Sequence, residues 1–243
     1  MPTRTEAPAR LPESRRLRTM LGLVLPAVFS ASDRLCLHER VRELYPEYLV
    51  LSHGIIRASV PLMAAARDRA RALPGDPVAG MVADYCARHI EEERGHDDWL
   101  LEDLASLGVD PDVVRTRPPT PTVAALVGAQ YYWIQHVHPV GLLGYVLLLE
   151  GWPPTPETVD ELRRRTGYGP GAFRTLLAHA DLDPHHGEEL DDVLDALPLS
   201  AAQRQLLGVS ALSSCERLAE ALEELLAGPV GRAGGLPAAR TAR

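Results

Sequence analysis

The sequence predicts an all-α fold, a single-domain helical bundle with kinked core helices. No segment alternates apolar and polar residues as a half-buried strand would, whereas helix-forming residues run in long stretches. Proline and glycine fall mostly between those stretches, where they end helices. The chain has 243 residues, of which 46% are hydrophobic, so it can bury one sizeable core.

Eight helices are expected in chain order, and each is bounded by a residue that starts or stops helices. Asp76 followed by Pro77 is typical of an N-cap and first helical position, and Ser200 with Gln203 resembles a capping box. Pro61 should bend one helix and Pro139 another, because proline cannot donate an i→i−4 hydrogen bond. The expected helices are residues 32–44, 47–73, 76–107, 122–150, 155–167, 171–180, 183–197 and 200–226.

The chain is expected to divide into a flexible N-terminal segment (1–31), a helical metal-binding domain (32–227) and a disordered C-terminal tail (228–243). The apolar residues 20–30 follow a basic RRLR sequence, so a secretory signal is the alternative for the first segment. The long lead-in before that stretch argues against it.

Charge and cysteine content limit the partners and the compartment. The net charge is −8 and no basic stripe follows the first 20 residues, so no nucleic acid partner is expected. No uninterrupted apolar stretch is long enough for a transmembrane helix, so no membrane partner is expected. Three cysteines far apart in the chain indicate a reduced, cytoplasmic protein.

Metal-ligand residue types recur on three of the expected helices. Glu93 and His96 are three residues apart, which places both on one face of a continuous helix. Glu-x-x-His pairs bind iron in helical bundles, although the surrounding charged run could instead be a solvated face.

Glu150 follows a run of apolar residues from Tyr145 to Leu149. A lone carboxylate in such a helix is costly to bury unless it is paired or bound to a metal. The alternative is that Glu150 reaches water at the helix end before Gly151.

His179, Asp183 and His186 have i, i+4, i+7 spacing and so share a helix face. Two imidazoles with one hard carboxylate suit non-haem iron or manganese. The alternative is that Asp183 only caps a helix that starts at Pro184.

Five further side chains are candidates for a lesser role. His89 lies seven residues before His96, and His53 interrupts an apolar helix, so both are candidates for a metal ligand or a group behind the ligands. Tyr131, Tyr132 and His136 lie beside the expected kink and are candidates for a substrate pocket, with core packing as the alternative.

Taken together, these residues resemble the haem-oxygenase-like diiron oxidases and oxygenases, the iron-containing redox enzymes. In that family a His on one core helix is followed by a Glu and then by His-x3-Asp-x2-His. The positions that match are His96, Glu150, His179, Asp183 and His186, and Glu93 matches a carboxylate that some members carry three residues before the His. Some members place another carboxylate upstream, where this chain offers His89 and His53.

The resemblance implies a haem-oxygenase fold without haem and a centre of two Fe(II) ions. It also implies activation of O2 and oxidation of a small-molecule substrate, by amine N-oxygenation or by oxidative C–C cleavage. An electron donor and a homodimer are both compatible with it. The competing interpretation is a metal-independent enzyme or carrier of the same helical fold, thiaminase-like or similar to an enzyme of quinone-cofactor synthesis.

Overall fold

The computed structural model describes residues 11–228, apart from the side chains of Asp183 and Pro184. Within this range it contains α-helices, two short 3-10 helices and no strand, which confirms the predicted all-α class. The α-helices are α1 (Glu13–Leu21), α2 (Leu25–Leu37), α3 (Val41–Ile56), α4 (Ser59–Arg71), α5 (Pro77–Glu93), α6 (His96–Ser106), α7 (Pro111–Thr116), α8 (Pro121–His136), α9 (Leu142–Glu150), α10 (Pro156–Thr166), α11 (Arg174–Ala196) and α12 (Ala201–Leu226).

Helix α9 runs through the core, and every residue from Leu142 to Leu148 is buried. The long helix α12 packs against α9, and against α1, α2 and α8 around it. Gly144 allows the close approach, because a Cβ there would lie 2.5 Å from the Leu207 carbonyl oxygen and 2.9 Å from the Ala211 nitrogen. The position of α9, and of Glu150 at its end, is therefore fixed by backbone contact with α12.

The predicted helix starts are confirmed where the capping side chain is specific. Asp76 accepts hydrogen bonds from the backbone N–H groups of Val78 and Ala79, so it caps α5 as expected. Ser200 and Gln203 form a complete capping box at the start of α12.

The expectation of a flexible segment at residues 1–31 is wrong from Glu13 onwards, because α1 and α2 pack on the core. Leu17 and Leu21 are fully buried, and the same four-residue spacing continues to Leu25. Residues 1–10 lie outside the described part of the chain, as does the predicted tail beyond Gly228.

The bounds expected for the next two helices are also wrong. Pro46 does not end a helix but lies inside α3. Pro46 has no N–H to donate to the Arg42 carbonyl. That carbonyl instead accepts a hydrogen bond from the Tyr168 hydroxyl at 2.8 Å. Pro61 lies in the first turn of α4, and the helix expected over residues 47–73 is interrupted at Arg57 and Ala58, one turn before this proline.

Two further continuity predictions fail in opposite directions. The helix expected over residues 76–107 is divided into α5 and α6 by Gly95, which has φ +89°. Conversely, the break expected between Ala180 and Asp183 is absent, because α11 continues through Pro184. A proline inside a helix costs about 3 kcal/mol, and burial of Leu190 and Leu194 in the second half of α11 offsets that cost. The predicted kink at Pro139 is confirmed, with a 3-10 turn between α8 and α9.

By length and composition, the combined stretch α3–α4 (Val41–Arg71) could cross a membrane, and so could the bent pair α1–α2 if taken as one span. In the bundle, however, α3 packs on α6 and α4 packs on α5 and α8, with Leu49 and Leu62 fully buried. Of the apolar 18-residue window in Val41–Arg71, 33% is buried inside the bundle.

Candidate metal centre

The α5–α6 break brings together three of the candidate residues. Glu93 is the last residue of α5 and His96 the first of α6, and both side chains are buried. Glu93 Oε1 lies 3.1 Å from His96 Nδ1. The pair therefore meets as predicted, but across a left-handed glycine and not on one continuous helix. His89, one turn before Glu93, is buried on the same side of α5.

Glu150 projects from the end of α9 toward His89, with 2.9 Å between its Oε1 and His89 Nε2. Only 14% of its side chain is exposed, and its Oε2 is shielded from solvent without a hydrogen-bond partner. The alternative that Glu150 merely reaches water at a helix end therefore does not describe this side chain.

Helix α11 contributes two histidines. His186 is buried, with its Nδ1 3.9 Å from Glu93 Oε1 and 4.0 Å from Glu150 Oε2, whereas neighbouring His185 is exposed. The His179 and His96 rings meet edge to face at 5.1 Å. The helical register runs unbroken through Asp183, whose side chain lies outside the described residues.

These residues form three overlapping groups, and in each group the candidate ligand atoms lie within 4.8 Å of one another. Each group contains at least one carboxylate and one histidine, and shared members join the groups into one cluster. The groups are Glu93, His96 and His179; His89, Glu93 and Glu150; and His89, Glu92 and His186.

The charges of this cluster depend on contacts between its members. Burial disfavours protonation of His89, but the carboxylates of Glu150 and Glu92 outweigh it and raise the His89 pKa to about 9. Burial raises the pKa of Glu150 against the opposing effect of His89. Burial also lowers the pKa of both His179 and His186, which favours the neutral imidazole that binds metals.

The donor set fits iron. Glu150 Oε2 and His186 Nδ1 are shielded from solvent and have no hydrogen-bond partner, whereas the equally shielded His96 Nδ1 has Glu93 Oε1 at 3.1 Å. Such atoms cost free energy when left unpaired, and a bound cation would satisfy them. A set of imidazole nitrogens and carboxylate oxygens without thiolate is typical of non-haem iron.

Residues that contact the cluster histidines, but are not candidate ligands themselves, orient the imidazole rings. His179 donates from Nδ1 to the Thr175 carbonyl at 2.8 Å, if that nitrogen carries the proton, which leaves Nε2 free to bind a metal. The Thr175 backbone N–H donates in turn to the buried Asp103 carboxylate at 3.0 Å. Trp99 stacks on the His96 ring at 4.0 Å, and Tyr85 stacks on His89 at 5.2 Å.

The remaining sequence candidates lie away from the cluster. His53 is in none of the described metal-ligand groups, but lines a groove that Tyr131 also lines. Tyr132 and His136 are exposed and contact each other at a ring distance of 4.8 Å, outside that groove.

Sequence reasoning missed two contributors. Glu92 belongs to one group through its contacts with His89 and His186, but it lies in a run of three glutamates that gives no reason to choose it. Arg18 forms an ion pair with Asp191 of α11 at 2.9 Å and donates to the Gly151 carbonyl at 3.3 Å. The sequence around Arg18 shows only the four-residue spacing of Leu17 and Leu21, which indicates a buried face of α1 but gives no role to the arginine.

Comparison with solved structures finds similar folds. A protein from Shewanella denitrificans OS217, described as a domain of unknown function with a heme oxygenase-like fold, aligns with a TM-score of 0.74 at 20% identity, over 88% of this chain and 91% of that one. A TenA homologue from Pseudomonas syringae pv. tomato DC3000 aligns with a TM-score of 0.62 at 16% identity, over 86% of this chain and 93% of that one. The predicted haem-oxygenase-like fold is thereby confirmed.

Comparison with curated proteins found no match. The model of a family described as iron-containing redox enzymes matches residues 57–217, which is more than half of the chain. The matched range includes α5, α6, α9 and α11, the four helices that carry the cluster. The chain belongs to the family of iron-containing redox enzymes.

Proposed function

We propose that the protein is a non-haem diiron oxygenase that uses O2 to oxidise a small organic substrate, by amine N-oxygenation or by oxidative C–C cleavage. The observation that carries the proposal is the meeting of carboxylates and histidines from α5, α6, α9 and α11 around solvent-shielded atoms that have no partner. Membership of the family of iron-containing redox enzymes supports iron as the bound metal. The fold does not specify which reaction the iron catalyses.

The proposed ligands divide between two ions. Glu93, His96 and His179 would hold one, and His89, Glu150 and His186 the other, with Asp183 proposed from the sequence. Glu93 is the carboxylate shared by both sets, because it belongs to the group with His96 and His179 and to the group with His89 and Glu150. Bound as Fe(II), the metal supplies electrons that activate dioxygen.

The chain's own groups would orient these ligands and limit water. The Thr175 carbonyl fixes the His179 ring, and Trp99 and Tyr85 pack against His96 and His89. The buried helix α9 excludes solvent on the Glu150 side of the cluster. A separate electron donor, a cytoplasmic location and the absence of nucleic acid and membrane partners belong to the same proposal.

Iron stoichiometry tests the proposal most directly. After anaerobic loading with ferrous salt and removal of unbound metal, about two irons per chain are expected from a ligand set of this kind. A value near zero would contradict the proposal, and a value near one would remove the second site. Exposure of the loaded protein to air should consume oxygen.

Substitution of Glu150 supplies a sharper test. Glu150→Gln keeps the side-chain volume but removes the charge, so iron content should fall to about one per chain or less and oxygen consumption should be lost. The matched control is Glu216→Gln, because Glu216 is an exposed glutamate on α12. Wild-type oxygen consumption by Glu150→Gln would show that this carboxylate binds no iron.

The competing function is a metal-independent enzyme or carrier, and the likeness to a TenA homologue is consistent with it. Such a protein would have no need for the buried, unpaired ligand atoms of this cluster. Binding of a substrate with no effect of iron would favour this alternative.

A further inference from the structure

A groove of about 460 Å³ lies between α3 and α4 on one side and α8 on the other, next to the stretch 114–119. Its lining is mainly apolar, with Val50, Pro61 and Val127 among its members. It reaches the exposed face of α8 at Gly128, where an added Cβ would meet no atom within 4 Å. None of the proposed metal ligands lines it.

The polar groups of this groove are concentrated near Arg57. Arg57 is exposed and donates to the Arg115 carbonyl at 3.2 Å, and no carboxylate within the described residues forms an ion pair with it. Arg117, the other arginine of the lining, pairs with Glu47 at 2.9 Å. Arg57 is therefore the arginine of the groove lining whose guanidinium charge is available to a ligand.

His53 lies one helical turn before Arg57 and is buried in the groove wall. Among the described residues it has no hydrogen-bond partner, so its ring nitrogens are available to a ligand. Burial and the charge of Arg57 lower the His53 pKa, and a neutral imidazole can still donate one hydrogen bond.

We infer that this groove binds a small organic anion with an apolar body, held by Arg57 and His53 at its charged end. The apolar lining accounts for the body of such a ligand, and a guanidinium binds a carboxylate or sulfonate through charge-assisted hydrogen bonds.

Binding of 8-anilinonaphthalene-1-sulfonate to the metal-free protein tests the inference, because this dye joins an apolar body to an anion. Gly128→Leu should fill the open space and weaken dye binding by at least about tenfold, which corresponds to 1.4 kcal/mol. Gly80→Leu is the matched control, since Gly80 is also an exposed helical glycine with no atom near its Cβ, but lies on α5 outside the groove. Equal dye affinity in both variants would overturn the inference.

Competition against the dye identifies the charge requirement. An alkyl carboxylate should displace it at a concentration about fivefold lower than the alcohol or amine of the same length, through a charged hydrogen bond. Arg57→Gln should abolish that difference and leave the alcohol unaffected. A carboxylate that competes no better than the alcohol in the wild-type protein would contradict the anion preference.

Two measurements separate this inference from other outcomes. Phe29→Ser tests whether the dye lies instead on the apolar surface near α2, and loss of binding in that variant would overturn the groove assignment. Iron content should be unchanged in Gly128→Leu. If the dye occupies the groove while the wild-type protein binds no iron, the proposed function fails and the binding site remains.

Discussion

At the scale of single residues, neighbours in the sequence have sharply different surroundings. His185 is exposed and His186 is buried against Glu93 and Glu150, although both follow Pro184 closely. One helical step of 100° accounts for the difference. Gly95 has a comparable effect on the backbone, because its φ of +89° interrupts the helix between Glu93 and His96.

We predict that His186→Ala weakens iron binding by at least about tenfold. Removal of a group that only supports a metal ligand already costs about that much affinity. His185→Ala should leave iron binding unchanged, because its ring is directed to solvent. Anaerobic titration with ferrous iron measures both. Equal losses in the two variants would mean that the helical register through this part of α11 is wrong.

We also predict that Gly95→Ala lowers both stability and iron affinity. Its φ of +89° costs an L-residue about 1–2 kcal/mol, although the added Cβ would meet no atom within 4 Å. Gly75→Ala is the control, since Gly75 has φ +85° and equally open surroundings. Thermal unfolding should show similar losses for both variants, whereas only Gly95→Ala should lose iron. Iron loss by both would show that the effect is general.

The candidate site could be predicted from the sequence where side-chain type and spacing act together. His179 and His186 are seven residues apart, about two helical turns, so they share one face, and Glu150 is conspicuous in an apolar helix. Glu92 and Arg18 could not be chosen in the same way. Glu92 contacts His89 one turn away on α5, but its place in the cluster comes from His186 on α11, and Arg18 contacts Asp191 on α11. Both contacts with α11 depend on tertiary packing.

At the scale of whole elements, proline was the poorest guide to helix bounds. Pro46 and Pro184 both lie inside helices, and the carbonyl left free by Pro46 is satisfied by a tyrosine far along the chain. Helix starts were predicted better, because Asp76 and Ser200 make their capping bonds within three residues of their own positions. Hydrogen bonds between residues close in sequence can be inferred from the sequence. A hydrogen bond from a distant residue that replaces one lost at a proline cannot.

Helix α11 is expected to be the least stable element of the metal centre. Pro184 removes one helical hydrogen bond, and without metal His186 Nδ1 is buried and unpaired. We predict that amides of residues 180–189 exchange hydrogen faster in the metal-free protein. The free energy of metal binding also stabilises the folded conformation of this segment, and that contribution is lost without metal. Hydrogen exchange with and without ferrous iron measures this. Equal protection in both states would mean that the site is preformed.

At the scale of the whole molecule, α1 closes the bundle over the cluster. Arg18 connects α1 to Asp191 of α11 and to the Gly151 carbonyl that follows Glu150, and its guanidinium packs on Trp152. One side chain thus joins the C-terminal end of α9 to the second half of α11, two helices that carry proposed ligands. The order of α1 is therefore important for the metal centre, although α1 supplies no ligand from its described residues.

We predict that Arg18→Met releases iron faster than the wild-type protein while lowering stability by only about 1 kcal/mol, as expected for a partly exposed ion pair. Arg34→Met is the matched control, since Arg34 pairs with Glu223 on an exposed surface away from the cluster. Transfer of iron to a chelator measures the release rate. The same rate in all three proteins would remove Arg18 from any role in holding the metal.

The Arg18–Asp191 contact also has a consequence for synthesis of the protein, because the two residues are 173 positions apart. At about 5–20 residues per second, α1 leaves the ribosome roughly 10–35 s before the partner it closes upon. During that time Leu17 and Leu21, which the finished fold buries completely, have no α11 or α12 to cover them. The nascent chain therefore carries the uncovered apolar face of α1 until α11 has been made, and the candidate metal cluster is complete only from that point.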